Sequence, residues 1–177
     1  MIRSAYEEFE SIFHAGYQNP FFEEFMTDEA DTIIVGMGTV SAAAKTAVKR
    51  MRKNGDKVGY LKLRWFRPFP SEDLRKVLSR AEHVGVIDRD FAHGGPDDAG
   101  VLFNDIRAAL YKSKSRPPLI DFIAGLAGRE VSIDDVIAMF RKVQNAEEEE
   151  LVNWVRVREK SSRPPDGSTF QVGGKSE

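Results

Sequence analysis

Cysteine is absent from the 177 residues of this chain. The absence excludes disulfides, iron–sulfur clusters and metal sites held by thiolates, and cysteine nucleophiles. An excess of one charge is absent too, because 26 Lys and Arg side chains face 28 Asp and Glu side chains, for a formal net charge of -2. That balance argues against a nucleic-acid-binding protein, whose binding face carries a basic excess.

Long apolar runs are also missing. No run approaches the roughly 20 residues of a membrane-spanning helix, and the acidic N-terminus MIRSAYEEFE lacks the apolar core of a signal peptide. The chain is nevertheless 41% hydrophobic, which is enough for a globular core. These features predict a cytoplasmic protein that binds neither a membrane nor nucleic acid, with one domain and some extra length at its ends.

Apolar runs of strand length alternate with helical patterns over most of the chain. The runs with the composition of buried strands are TIIVGM, KVGYLKLRW, HVGVIDRD and PPLIDFIAGL. Each is followed by apolar residues at helical spacing, and Ser71 and Ser132 stand where helix N-caps are expected. Strands that alternate with helices in this way predict an α/β fold with a mostly parallel sheet and helices on both faces.

The two ends of the chain differ in composition from its middle. Tyr6, Phe9, Phe13 and Tyr17 have helical spacing, which predicts an amphipathic helix over residues 3–17. The acidic run NAEEEEL near residue 145 is typical of a solvated helix face, and the Ser-, Pro- and Gly-rich stretch after residue 158 has too few apolar residues to form a core. We therefore expect a helical lead-in over residues 1–30, an α/β domain over 31–158, and a flexible or partner-bound tail over 159–177.

The stretch VGMGTVSAAAK joins the first predicted strand to its helix and partly matches a dinucleotide-binding loop. Gly36 and Gly38 match the first two glycines of that motif, but Ser41 stands where the third is expected. The second strand ends in Arg64, where an acidic residue would bind a ribose. Since strand-to-helix turns with two glycines are common in parallel sheets, we interpret this stretch as a structural turn without a cofactor.

Charged residues follow the third predicted strand. Because the carboxyl ends of parallel strands face the ligand crevice of an open sheet, Asp88 and Arg89 are functional candidates, although an Asp–Arg pair that orders the next loop is the stronger interpretation. His93 has Asp97 and Asp98 nearby but no second histidine, which argues against a metal site. No motif provides a serine with a base, so we predict no catalytic residue and no metal ligand.

The end of the second predicted strand combines arginines with aromatic residues. Pro68 and Pro70 end this strand by removing backbone donors and restricting the residues before them. Guanidinium groups stack on aromatic rings, and protein interfaces favour both residue types. We expect a joint against another protein at the carboxyl edge of the sheet, formed by Arg64, Trp65, Phe66, Arg67, Asp88, Arg89 and Arg129.

Several of these motifs together resemble one protein family. IIVGMGTVSAAAK, KVGYLKLRWFRPFP, VGVIDRD with its following Gly-rich loop, and GLAGREV occur in this order in the alpha subunits of pyruvate:ferredoxin oxidoreductase and related 2-oxoacid:ferredoxin oxidoreductases. The resemblance runs from about Tyr6 to Val143 and falls in the second domain of that subunit, which is similar to the C-terminal domain of transketolase. This chain departs from the family at Ala127, where glycine is usual, and by the extra residues GGPDD after Asp88.

The resemblance implies a part in the oxidative decarboxylation of pyruvate or a related 2-oxoacid to an acyl-CoA, with electrons passed to ferredoxin. It implies thiamin diphosphate, iron–sulfur clusters and coenzyme A in partner subunits or domains, none of them bound by this chain alone. The chain would be a non-catalytic assembly domain whose direct partners are the other subunits, with ferredoxin as an indirect one. The family's thiamin-related domain is missing, which indicates either a split-gene subunit or an expressed fragment.

Two alternatives to this assembly role remain. One is a free-standing α/β enzyme that binds a nucleotide or an acyl group through the turn at Gly36 and the charged end of the third strand. The other is a diverged interaction module that kept the fold but joined another assembly.

Overall fold

The computed structural model describes residues 1–14, 16 and 19–157. The strands are β1 (Phe22–Phe25), β2 (Thr32–Met37), β3 (Val58–Leu63), β4 (His83–Asp88), β5 (Leu119–Ile123) and β6 (Glu150–Trp154). The α-helices are α1 (Ile2–Phe13), α2 (Val40–Lys53), α3 (Ser71–Leu78), α4 (Val101–Leu110) and α5 (Ile133–Gln144). Short 3-10 turns lie at Pro96–Asp98 and Leu126–Gly128.

The strands form a single sheet in the order β1-β3-β2-β4-β5-β6. All neighbouring pairs are parallel except β1 with β3. One hydrophobic cluster packs α2 and α5 on one face of the sheet, and a second packs α3 and α4 on the other. The predicted α/β fold, with a mostly parallel sheet and helices on both faces, is confirmed.

The helix starts show how local sequence places these elements. Ser132 accepts a hydrogen bond from the Asp135 N–H, and the Asp135 carboxylate accepts one from the Ser132 N–H, so α5 begins with the predicted cap in a full capping box. The predicted cap of α3 is wrong. Ser71 is its first helical residue, Pro70 occupies the N-cap position, and no side chain caps this end.

The two edge strands were not predicted. β1 lies in the lead-in and pairs with β3, so part of the lead-in belongs to the sheet. Helix α5 ends at Gln144 and β6 begins at Glu150, so the acidic run forms the connection after α5 and the start of β6 rather than a helix face. Its interpretation as a solvated helix face is wrong because the chain leaves the helix at Asn145.

Helix α1 is shorter than predicted and lies at the surface. It ends where His14 takes a left-handed conformation with φ 50°. None of its residues is fully buried, although Ile2 packs against the hydrophobic core and Arg3 pairs with Asp73 of α3. Tyr17 and the predicted tail over 159–177 fall outside the described residues. In the part of the chain that is described, no helix has the length and apolar character required to cross a membrane.

Candidate functional site

The order of the strands creates a crevice at the carboxyl edge of the sheet. β2 and β4 are neighbours, yet the helix after β2 covers one face and the helix after β4 covers the other. Open α/β sheets bind ligands at such a topological switch point. The crevice has a volume of about 480 Å³, and Gly38, Phe66, Arg89 and Leu102 are among its lining residues.

Arg89 connects the loops that follow three adjacent strands. Its Nη1 donates to the Thr39 hydroxyl at 2.9 Å, and its Nη2 donates to the Gly125 carbonyl at 3.2 Å. Gly125 has φ 75°, and a Cβ there would lie 3.1 Å from the Arg89 Nε. Glycine at this position therefore permits both the left-handed turn and the close approach of the guanidinium.

Asp88 is a buried residue that lines the crevice and holds the start of α4. Its side chain is 5% exposed, and its two carboxylate oxygens accept the N–H groups of Leu102 at 3.0 Å and Phe103 at 2.9 Å. Burial raises the pKa of Asp88 to about 7, although both N–H groups act in the opposite direction. The Asp–Arg pair predicted at this strand end is not formed between Asp88 and Arg89, because the Asp88 carboxylate binds backbone amides while Arg89 binds Thr39 and Gly125.

A second buried carboxyl lies beside Asp88 and was not predicted. Asp121 of β5 is fully buried, and its Oδ2 accepts the Gly100 N–H at 2.8 Å. The Asp121 Oδ1 has no partner with hydrogen-bond geometry within the described residues. The Val152 N–H nevertheless acts to lower the pKa of Asp121. Burial is the larger effect and raises that pKa. The only signal in the sequence is an aspartate inside the apolar run LIDFI.

The Arg-aromatic corner follows β3 and consists of Arg64, Trp65, Phe66 and Arg67. Its two arginines lie in different surroundings. Arg64 is half-buried and donates to the Glu23 carboxylate at 3.2 Å and to the Asn19 carbonyl at 3.3 Å. Arg67 is exposed, lies 4.1 Å from the centre of the Phe66 ring, and donates to Asp105 of α4 at 2.8 Å. The stacking predicted from the sequence is therefore confirmed for Arg67.

Trp65 presents the largest exposed ring of this corner. It is 40% exposed and, with Tyr6 and Phe9 of α1, lines a surface pocket of about 480 Å³. Phe66, by contrast, packs partly against the core. The corner thus combines one exposed indole with a guanidinium that is already fixed on a ring.

Arg129 lies at the same edge, in the loop after β5. It is exposed and donates to the Arg156 carbonyl. With Arg89 it lines a second pocket of about 380 Å³. Of the predicted interface residues, Arg89 and Arg129 therefore share one pocket, Trp65 and Arg67 form a separate corner, and Asp88 supports the edge from below.

The other candidate sites have structural explanations. Ser41 stands where a dinucleotide loop would have its third glycine. Its hydroxyl lies 3.0 Å from the buried Tyr60 hydroxyl. Burial raises the pKa of Tyr60 to about 12. His93 is almost fully exposed, with its Nδ1 4.0 Å from an Asp98 oxygen. Over residues 1–14, 16 and 19–157, no three His, Asp or Glu side chains are grouped so that they could hold a metal ion.

The model of the pyruvate:ferredoxin oxidoreductase core domain II matches residues 30–136. The chain belongs to this family. A ketoisovalerate oxidoreductase subunit VorA from Pyrococcus abyssi is 35% identical over 162 residues, which cover 89% of this chain and 40% of VorA. A pyruvate synthase subunit PorA from Methanocaldococcus jannaschii is 35% identical over 159 residues, which cover 90% of this chain and 39% of PorA. The chain thus spans about two fifths of the length of these relatives.

Solved structures show the same fold in more distant proteins. A 2-oxoglutarate:ferredoxin oxidoreductase from Magnetococcus marinus has a TM-score of 0.53 at 20% identity, covering 79% of this chain and 22% of that one. A split gene transketolase in its beta4 tetramer form has a TM-score of 0.52 at 16% identity, covering 68% of this chain and 41% of that one. The expected likeness to a transketolase domain is confirmed at the level of fold.

The resemblance predicts glycine where Ala127 stands, and the backbone at this residue is left-handed. Ala127 takes φ 52°, between Gly125 and Gly128, which both have φ 75°. A left-handed alanine is strained by about 1–2 kcal/mol because its Cβ approaches the following carbonyl. The backbone of this pyruvate:ferredoxin oxidoreductase domain thus keeps a conformation that suits the expected glycine.

Proposed function

We propose that this chain is a non-catalytic assembly domain or subunit of a thiamin-diphosphate-dependent 2-oxoacid:ferredoxin oxidoreductase in the cytoplasm. The complex would convert pyruvate or a related 2-oxoacid to an acyl-CoA and pass the electrons to ferredoxin. The observation that carries the proposal is the identity of 35% to a VorA subunit over 89% of this chain. Other subunits of the complex would be its direct partners, and ferredoxin an indirect one.

The side chains of this domain support a non-catalytic role. Iron–sulfur clusters are held mainly by cysteine thiolates, and the chain has no cysteine. The buried carboxyls Asp88 and Asp121 accept N–H groups at the start of α4 and lie below the surface. Because these carboxyls are buried and accept backbone N–H groups, they are not placed to hold a cluster or a metal–diphosphate group, and no step of the reaction is assigned to them. Thiamin diphosphate, the clusters and coenzyme A would belong to partner subunits or domains.

We place the main contact with those partners at the Arg-aromatic corner. Trp65 is 40% exposed, and the Arg67 side chain is 58% exposed although it is fixed on Phe66 and Asp105. Trp and Arg contribute most to binding when they are rigid before the partner arrives, because less side-chain entropy is then lost. Arg64 would hold this corner in place, and Arg89 and Arg129 would extend the contact along the sheet edge.

The division of the chain remains a prediction. We propose that residues 31–158 form the α/β domain, that residues 1–30 lead into it, and that the tail over 159–177 is a separate segment. The family match over residues 30–136 agrees with this start of the domain. Strand β1 extends the sheet into the lead-in.

Substitutions at the corner separate an interface role from a structural one. Arg67→Ala and Trp65→Ala should each weaken binding of the partner subunits by at least about 2 kcal/mol, the usual loss at an interface hot spot. The Arg67–Asp105 pair is exposed, so the unfolding free energy of the chain should fall by less than about 1 kcal/mol. Tyr111→Ala, which removes an aromatic ring that is 71% exposed elsewhere, is the matched control.

Affinity is measured by titrating the labelled chain with co-expressed partner subunits, and stability by urea unfolding. Unchanged affinity in both corner variants would contradict the proposed interface. An equal loss in Tyr111→Ala would show that the effect is not specific to this corner.

A further inference from the structure

The pocket shared by Arg89 and Arg129 has a composition that a protein interface alone does not require. It is a concave space of about 380 Å³ between the start of α2 and the loop after β5. Small residues, Ala42, Ala43 and Gly128, form part of its wall. Two arginines therefore line a space that is large enough for a small ligand.

Within the described part of the chain, no ion pair balances the positive charge of either arginine. Arg89 donates to the Thr39 hydroxyl and the Gly125 carbonyl, and Arg129 donates to the Arg156 carbonyl. All three acceptors are neutral. Among the described residues, neither arginine has a carboxylate within ion-pair distance, whereas Arg64, Arg67, Arg107 and Arg141 each have at least one. The two guanidinium groups thus keep donor capacity for an incoming anion.

Thr39 adds a third donor to this wall of the pocket. Its hydroxyl oxygen accepts from Arg89, and the side chain makes no capping bond to α2, so its own hydrogen is available to a ligand. A carboxylate has two oxygens, which a single guanidinium can saturate in a bidentate contact. Two guanidinium groups and a hydroxyl match better the three or four oxygens of a phosphate group.

We propose that this pocket binds a small phosphate-bearing anion between Arg89, Arg129 and Thr39. The site lies beyond the main subunit contact at Trp65 and Arg67, at the part of the sheet edge where Arg89 and Arg129 would extend that contact, and all the residues that form it belong to this chain. Its ligand is either inorganic phosphate or the phosphate group of a small metabolite, since both present the same oxygens. A ligand bound in this pocket would lie at the carboxyl edge of the sheet, at the switch point between β2 and β4.

Among the described residues, Glu130 is the one acidic side chain that lines the pocket, and its charge should have the opposite effect on anion binding to that of the arginines. It is exposed and opposes an anion, so it lowers the affinity without closing the site. Glu130→Gln should therefore tighten phosphate binding by up to about fivefold, the range of an exposed charge pair. Arg129→Ala should weaken it by at least about tenfold, because a hydrogen bond to a charged group is lost.

The experiment is a calorimetric titration of the full 177-residue chain with inorganic phosphate at constant ionic strength. We expect a dissociation constant on the order of 1 mM or lower. Arg80→Ala removes an exposed arginine that donates to the Lys76 carbonyl of α3, so it is the charge-matched control and should leave binding unchanged. Arg89→Lys keeps one charge at the junction of the three loops and should weaken binding while circular dichroism confirms the fold.

A second arm compares adenosine diphosphate with inorganic phosphate, which separates a metabolite source from the free ion. A glutamate-rich peptide forms the third arm. Binding of phosphate or adenosine diphosphate that Arg129→Ala weakens and Glu130→Gln tightens would support the site. The proposal would be overturned if no phosphate bound at 10-fold above the expected dissociation constant of about 1 mM. It would also be overturned if Arg129→Ala bound phosphate as tightly as the wild type, or if the peptide alone bound. The subunit-binding result for Arg67→Ala is independent of all these outcomes.

Discussion

Replacing Asp88 by asparagine should remove much of the pH dependence of folding. Asp88 is 5% exposed, and its burial raises the pKa from 3.8 to about 7. The folded chain therefore keeps a proton on this carboxyl that the unfolded chain loses from about pH 4 upward. The contribution of Asp88 to stability is fully present below the unfolded pKa and is lost as the pH rises through the folded pKa near 7.

The size of the effect follows from the two pKa values. Each pH unit between them changes the unfolding free energy by about 1.4 kcal/mol. Between pH 5 and pH 7 the wild-type chain should therefore lose on the order of 3 kcal/mol through Asp88. Asparagine cannot ionise, and it leaves one of the Leu102 and Phe103 N–H groups without an acceptor oxygen. The variant should be less stable at pH 5 by about 1 kcal/mol and at least as stable at pH 8.

Urea unfolding, followed by tryptophan fluorescence at pH 5, 6, 7 and 8, measures how the unfolding free energy of the wild type and of Asp88→Asn changes with pH. Asp121 also has a raised pKa, so some decrease of stability with pH should remain in the variant. Asp28→Asn, which removes an exposed carboxyl, controls for the change in net charge and should keep the wild-type slope. If the unfolding free energies of the wild type and Asp88→Asn changed identically with pH, the raised pKa assigned to Asp88 would be refuted.

Three further substitutions test the local geometry by urea unfolding at pH 7. Gly100→Ala should lose more than about 2 kcal/mol, because a Cβ there would lie 2.1 Å from the Asp88 Oδ2; a neutral result would contradict the close packing. Ala127→Gly should gain about 0.5–1 kcal/mol by relieving the left-handed alanine, and a loss would show that its conformation is not strained. Ser132→Ala should lose about 1 kcal/mol with the capping box of α5, whereas no change would mean that the cap is dispensable.

The central part of the fold was predictable because its strands are apolar on both faces. TIIVGM and HVGVID are buried almost throughout, and each helix that covers them has its own apolar stripe. The edge strands lack this signal. β1 is only FEEF, with two charged residues in four, and β6 is partly exposed and irregular opposite Asp121. Short edge strands are recognised only through their pairing partners, which the sequence alone does not provide.

The candidate site was predictable only in its parts. The position of Arg89 at a strand end followed from the pattern, but its partners Thr39 and Gly125 come from loops that are distant in the sequence. Their convergence depends on the order β2-β4-β5, which the alternation of strands and helices does not fix. The role of Asp88 was missed for the same reason, since its acceptor oxygens serve a helix that begins after a long loop.

The most direct test of the assembly role is purification of the tagged chain from its native host, with mass spectrometry of the proteins that accompany it. The proposed function predicts thiamin-binding and iron–sulfur subunits in a constant ratio to the chain. The eluted complex should also reduce ferredoxin when a 2-oxoacid and coenzyme A are added, and Arg67→Ala should lower the recovery of these subunits. A chain that elutes as a stable monomer, or with an unrelated assembly, would contradict the proposed function.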